Sequence, residues 1–198
     1  MTRNVAAGRS TRRSTRRNIG VAIGLPEPVA VELQGWREKL GDPTAARIVP
    51  HITLLPPTAV WTDDLDEVEE HLRAIASDGY PFDVRLRGTA TFRPVTPVVF
   101  VPLVEGIAEC ELLAQRVRSG PLDRALSYPY HPHVTIAQDV SDEALDRGYE
   151  ELADYDARFR VWGLQMFERD RVDVWRPQRD FPFRHGTPGP QPPRKTDW

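Results

Sequence analysis

Two stretches decide how this chain reads: Pro50-His51-Ile52-Thr53-Leu54-Leu55-Pro56, and Tyr130-His131-Pro132-His133-Val134-Thr135-Ile136-Ala137, whose motif histidines His51 and His133 lie 82 residues apart. Each has the apolar, β-branched character of a strand, where alternate side chains share a face. His51 and Thr53 then stand on one face with Ile52 and Leu54 behind them. His133 and Thr135 repeat the arrangement in front of Val134 and Ile136. A lone His-x-Thr carries little information, because both residues are common in half-buried strands. Two copies, with the same residue types in the same order, point to one polar site built from two strands.

The surrounding sequence supplies a strand-and-helix plan around each motif. Residues 19–25 read as a buried strand. After Pro26–Pro28 comes a helix over 29–40, with Val29, Leu33, Trp36 and Leu40 at helical spacing, stopped by Gly41-Asp42-Pro43. The first motif strand, 48–55, is expected to close at Pro56-Pro57, and an amphipathic helix follows over 63–77. Strands at 82–92 and 98–104 flank a turn. A helix over 107–117 then leads to the second motif strand at 132–137. Ser141 is placed to cap a helix over 142–155, and segments 159–168 and 171–175 read as a closing hairpin. The pattern predicts an α+β fold, bilobal and duplicated, with two antiparallel-sheet lobes, outer helices and a central cleft. Trp36, Trp162 and Trp175 are expected to pack in or against the core.

Length and composition fit one domain at 19–184 between two tails. The chain has 198 residues, 40% hydrophobic and 28% charged, with no run of the roughly 18 apolar residues that cross a bilayer. The single cysteine, Cys110, excludes an internal disulfide and a cysteine-based zinc site, and points to a reducing, cytoplasmic location. Residues 1–18 carry six arginines and no acid, and are expected to be a disordered basic tail. Their composition also suits a transit peptide, but the short apolar segment that follows does not suit an export signal. The rest of the chain holds 20 basic and 29 acidic side chains, too acidic for a general grip on long nucleic acid. Residues 185–198 are rich in Pro and Gly and are expected to be flexible.

The duplicated residues suit phosphoryl chemistry. Opening a cyclic phosphodiester needs a base to take a proton from water and an acid to protonate the leaving oxygen. Imidazoles titrate near pKa ~6.5 and can do both. Threonine hydroxyls can hold the non-bridging oxygens. The base and acid roles stay open between His51 and His133.

The motifs closely resemble the signatures of the 2H phosphoesterases, a superfamily that includes bacterial 2′–5′ RNA ligase-like proteins, which are also RNA 2′,3′-cyclic phosphodiesterases. The resemblance runs from Ile19 to about Phe183. It implies catalytic His51 and His133, phosphate-binding Thr53 and Thr135, and a cleft between pseudo-symmetric lobes. It also implies metal-independent, cofactor-free hydrolysis of a 2′,3′-cyclic phosphate on an RNA end or small nucleotide, with 2′–5′ ligation as the reverse type of reaction. A monomer without membrane attachment is expected.

Tyr130 and His131 are further candidates for substrate contact. Tyr128, Phe92 and Phe100 are candidates for base stacking, and Arg47 and Arg93 for a phosphate. His71 reads as a surface residue and His185 as part of the tail. Two other readings compete: a hydrolase with a metal on His51, His131 and His133, and a non-catalytic RNA- or nucleotide-binding module.

Overall fold

Alternating burial in the motif strands fixes the architecture around them. The structure, a computed structural model, describes residues 14–184. Residues 1–13 of the expected basic tail, and residues 185–198, lie outside the described residues. The first sheet is antiparallel, in the order β2-β1-β8-β9, from β1 (Arg16–Gly24), β2 (His51–Trp61), β8 (Gly163–Arg169) and β9 (Trp175–Pro182). The second is built on β5 (Val98–Glu105). It pairs with β4 (Ala90–Thr91) and β6 (His133–Gln138) along its first half and with β3 (Phe82–Arg87) along its second, and β7 (Asp156–Val161) lies outside β3. The described elements form the expected α+β fold with two antiparallel sheets.

The two motif strands occupy equivalent places. Among the described residues, β2 pairs only with β1, and β6 only with β5. The strands lie against each other, so the two sheets meet where the motifs are. Four helices complete the layers: α1 (Val29–Lys39), α2 (Leu65–Ser77), α3 (Ile107–Val117) and α4 (Asp142–Glu151). They interlock the lobes. Helix α1 leaves the first sheet yet packs on β6 of the second, while α3 leaves the second and packs on β2 of the first. One continuous hydrophobic core therefore joins both sheets.

That core also sets the register. Ile52, Leu54, Val134 and Ile136 are all fully buried. Each contributes about 1.5–3 kcal/mol relative to exposure, and a one-residue slip would drive His and Thr into their places. The polar face of each motif is held outward by the apolar face behind it.

Four expectations need correcting. Strand β1 begins at Arg16, so Arg16, Arg17 and Asn18 belong to the sheet, opposite Trp61, Val60 and Ala59, and not to the tail. Strand β2 does not close at Pro56-Pro57 but runs on to Trp61. The prolines lie where the register shifts between the Val21–Leu55 and Ile19–Thr58 pairs, on a strand with a free edge where a missing N–H is tolerated. Segment 159–168 is not one strand: β7 ends at Val161 in the second sheet and β8 starts at Gly163 in the first. The closing hairpin is instead β8–β9, whose second strand starts at Trp175.

Candidate active site

In each motif a proline stands immediately before the histidine. In both, the imidazole Nδ1 meets the carbonyl two residues back: Val49 O at 2.8 Å for His51 and His131 O at 2.7 Å for His133. A carbonyl only accepts, so Nδ1 carries the hydrogen in both rings, and Nε2 of the neutral ring is left with its lone pair. Pro50 and Pro132 occupy the intervening position and are buried. The two histidines are thus fixed in the same tautomer by the same local device.

His51, Thr53, His133 and Thr135 line one cleft of about 410 Å³. All four are half-buried, as expected for a polar face backed by core. Burial pushes the His51 imidazole down to about 4. The bond to Val49 opposes this, while the charges of Arg37 and His133 add to it. His133 is also lowered, mainly by burial, against its bond to the His131 carbonyl. With no anion bound, both rings are therefore neutral near pH 7. A phosphate between them favours the charged form and draws a proton in.

Behind His51 stands a buried ion pair that the motifs do not announce. Arg37 is 3% exposed and also lines the cleft. Its Nε donates to Asp42 Oδ2 at 2.9 Å, one Nη to Thr44 Oγ1 at 2.8 Å and the other to the Ile48 carbonyl. Thr44 donates in turn to Asp42 Oδ1 at 2.7 Å and accepts from Gln138 Nε2 at 3.0 Å. The network ties α1 and the 42–48 loop to the end of β6. A signal for it exists in the sequence: Arg37 is in phase with Val29 and Leu33 on the buried face of α1, whereas Trp36 is only half-buried.

The remaining candidates divide. Neither Tyr130 nor His131 lines the cleft. Tyr130 hydroxyl donates to the Thr53 carbonyl at 2.8 Å, so it braces one motif strand from the approach to the other. Burial raises its pKa, keeping the proton on, and the Arg118 guanidinium lies 5.1 Å from its ring centroid. The His131 ring is exposed. It lies 6.2 Å from His133 in a near-parallel stack and edge-on to Phe92 and Phe100, so it is the His131 backbone that serves His133. Phe92 and Phe100 pack on His133 at 5.0 and 4.9 Å, and neither lines the cleft. Tyr128 is exposed. Arg47 lines the cleft, whereas Arg93 pairs with Asp146 at 2.6 Å away from it. Trp175, expected to pack in or against the core, is half-buried and also lines the cleft with Phe167. His71 is half-buried, its Nε2 3.3 Å from the Val117 carbonyl, and His185 lies outside the described residues. Among the described residues, no three His, Cys, Asp or Glu side chains are grouped to hold a metal ion, and no helix is long and apolar enough to cross a membrane.

The family model of the 2′–5′ RNA ligase superfamily matches residues 25–173, from the end of β1 to the loop before β9. The chain belongs to this superfamily. The matched range holds both His-x-Thr stretches, at residues 51–53 and 133–135. A provisionally named phosphoesterase of Oceanobacillus iheyensis is 30% identical over 78% of this chain and 84% of its own length. Another, from Halalkalibacterium halodurans, is 31% identical over 79% and 87%. Among solved structures, E. coli LigT complexed with 3′-AMP superposes with a TM-score of 0.64 at 19% identity, covering 86% of this chain and all of LigT. A protein of Thermus thermophilus gives 0.56 at 21% identity, covering 86% of this chain and all of its own. At these identities the structures speak for the superfamily fold.

Proposed function

We propose that this 2′–5′ RNA ligase superfamily member hydrolyses a 2′,3′-cyclic phosphodiester, on an RNA end or a small nucleotide, using His51 and His133 without a metal. The observation that carries the reading is the pairing of two imidazoles, each anchored at Nδ1 and each followed two residues on by a threonine, in one cleft. The binding of 3′-AMP by E. coli LigT, a molecule of the kind such a reaction releases, supports it.

The chemistry divides along the electrostatics. Burial and the charge of Arg37 hold His51 neutral, so its Nε2 takes a proton from water as the oxygen forms its bond to phosphorus. The bond from phosphorus to one ribose oxygen breaks, and protonated His133 gives its Nε2 proton to that oxygen. The product is a ribose monophosphate with one free hydroxyl, and the proton gained by His51 balances the one lost by His133. Thr53 and Thr135 donate hydrogen bonds to the non-bridging oxygens, where negative charge builds. With a ribose 5′-hydroxyl attacking in place of water, the same ring opening forms a 2′–5′ phosphodiester and frees the 3′-hydroxyl, which is the ligase-type reaction, with the same two groups as base and acid.

The test is turnover of 2′,3′-cyclic nucleotides and cyclic-phosphate-ended oligoribonucleotides, with and without exhaustive chelation. The expected outcome is hydrolysis that survives chelation and is lost in His51→Ala and in His133→Ala. Tight nucleotide binding with no turnover of any of these substrates would make the protein a binding module.

A further inference from the structure

The far end of the cleft holds a feature that opening a phosphodiester does not use. Arg47, from the loop before β2, and Arg169, from the end of β8, both line the cleft and both reach one carboxylate. Arg47 Nη1 lies 2.9 Å from Asp173 Oδ2, and Arg169 Nε lies 2.9 Å from Asp173 Oδ1. A guanidinium has five N–H donors in a planar fork, so one contact to Asp173 leaves most of each fork for a ligand. Two cations on one anion leave a surplus positive charge. Asp173 is the one acid among the described cleft-lining residues, in a chain whose body is strongly acidic.

The cluster is built rather than incidental. Asp173 sits at φ 68, the left-handed region that Asp tolerates better than most residues. The turn around it is pinned by Asp170 Oδ1, which accepts the Val172 and Val174 amides, both at 2.9 Å. The Trp175 amide donates to the Arg47 carbonyl at 2.7 Å, locking the two arginine-bearing segments together through their backbones. Both side chains are half-exposed, so the guanidiniums are reachable while their positions are fixed. Preorganised donors of this kind lose little freedom when an anion arrives.

Its distance from the reacting groups is set by β8. Phe167 lies 6.3 Å from the His51 ring, and Arg169 follows it by two residues. In a strand that puts Arg169 on the same side, about 7 Å further along. Both arginines thus line the same cleft as the two imidazoles, with Arg169 beyond Phe167 along β8.

We infer that Arg47 and Arg169, set by Asp173, form a second phosphate subsite, which selects nucleotides carrying a 5′-phosphate group in addition to the phosphate at the 2′,3′ end. This rests on the proposed reading of the histidine site. It deepens that reading by naming the substrate class: the end of an oligonucleotide, or a nucleotide phosphorylated at both ends, in preference to a singly phosphorylated nucleoside.

Isothermal calorimetry with ligands that do not react separates this from turnover. Adenosine 3′,5′-bisphosphate is expected to bind the full chain about tenfold or more tighter than adenosine 3′-monophosphate, the yield of roughly one charge-assisted hydrogen bond. The ratio of the two affinities is expected to collapse toward one in Arg47→Ala and in Arg169→Ala. It should be retained in Arg158→Ala, which removes the same charge at an exposed pair with Glu105. Retention of the ratio in His51→Ala would show that the subsite stands even if the catalytic reading fails. Comparing the bisphosphate with ApA 3′-phosphate then distinguishes a free nucleotide from an oligonucleotide end as the source. Equal binding of mono- and bisphosphate by the unmodified protein would overturn the inference. So would a ratio indifferent to both arginines, or one that falls equally in Arg158→Ala.

Discussion

The two halves of the cleft share a backbone and differ in what stands behind it. On both sides a buried proline precedes the histidine, a carbonyl two residues back holds Nδ1, and a threonine follows two residues on. Behind His51, however, lies the buried Arg37–Asp42 pair, whereas His133 is wrapped by the rings of Phe92, Phe100 and His131. Duplication supplies two equivalent imidazoles, and the surroundings make them unequal. The Arg37 guanidinium makes a proton on His51 costlier still, and on the other side the charge of His131 acts on His133 in the same sense. In the proposed reaction, that inequality gives His51 the part of base and His133 the part of acid.

The largest expected effect comes from breaking either half outright. His51→Ala and His133→Ala are each expected to lower kcat by about 10²–10⁴, the worth of one proton transfer, with the fold intact by circular dichroism. If the rings act as a pair, the double variant falls little below either single one. Thr53→Val and Thr135→Val come next, each expected to cost about 10²–10³ in kcat with a smaller change in KM, if the hydroxyls serve developing charge. A loss confined to KM would instead make them ground-state contacts.

Removing Arg37 tests the difference itself. Arg37→Met leaves Asp42 buried without its partner and is expected to cost about 3–5 kcal/mol in stability, read by urea unfolding. In the same variant the His51 pKa should move up from about 4, because one of the charges lowering it is gone. Phe92→Leu on the other side should leave His51 unmoved and change stability far less.

The smallest effect is on stability against pH. The folded His51 pKa, about 4, lies below its ordinary 6.5, so the unfolded chain takes up the proton first. The stability this group contributes is complete above pH 6.5 and is lost as pH falls through 4. His51→Gln is expected to flatten that part of the curve, and an unchanged slope would place the titration elsewhere.

Much of the site is legible in the sequence because its signal is local. Alternation places His51 and Thr53 on one face with Ile52 and Leu54 behind, and repetition marks the second copy as its partner. The residues that escape are those whose meaning is tertiary. Arg37 has the phase of a core residue but the chemistry of a surface one, and only the return of the 42–48 loop to α1 explains its burial. Trp175 and Arg169 reach the cleft because the chain leaves the second sheet at Trp162 and re-enters the first, a crossing no short-range pattern encodes. Pro56-Pro57 reads as a stop signal but is tolerated at a bulge on a free edge. Tyr130 draws notice for its ring, whereas its hydroxyl is what joins the two motifs.

The most direct test of the unequal pair is a nitrogen NMR titration of the two imidazoles in the ligand-free protein. Both rings are expected to show the Nδ1–H tautomer when neutral. His51 is expected to titrate near 4 and His133 below its ordinary 6.5, and both are expected to shift upward when phosphate is added. A His51 that titrates at or above 6.5, or the Nε2–H tautomer in either ring, would contradict the account.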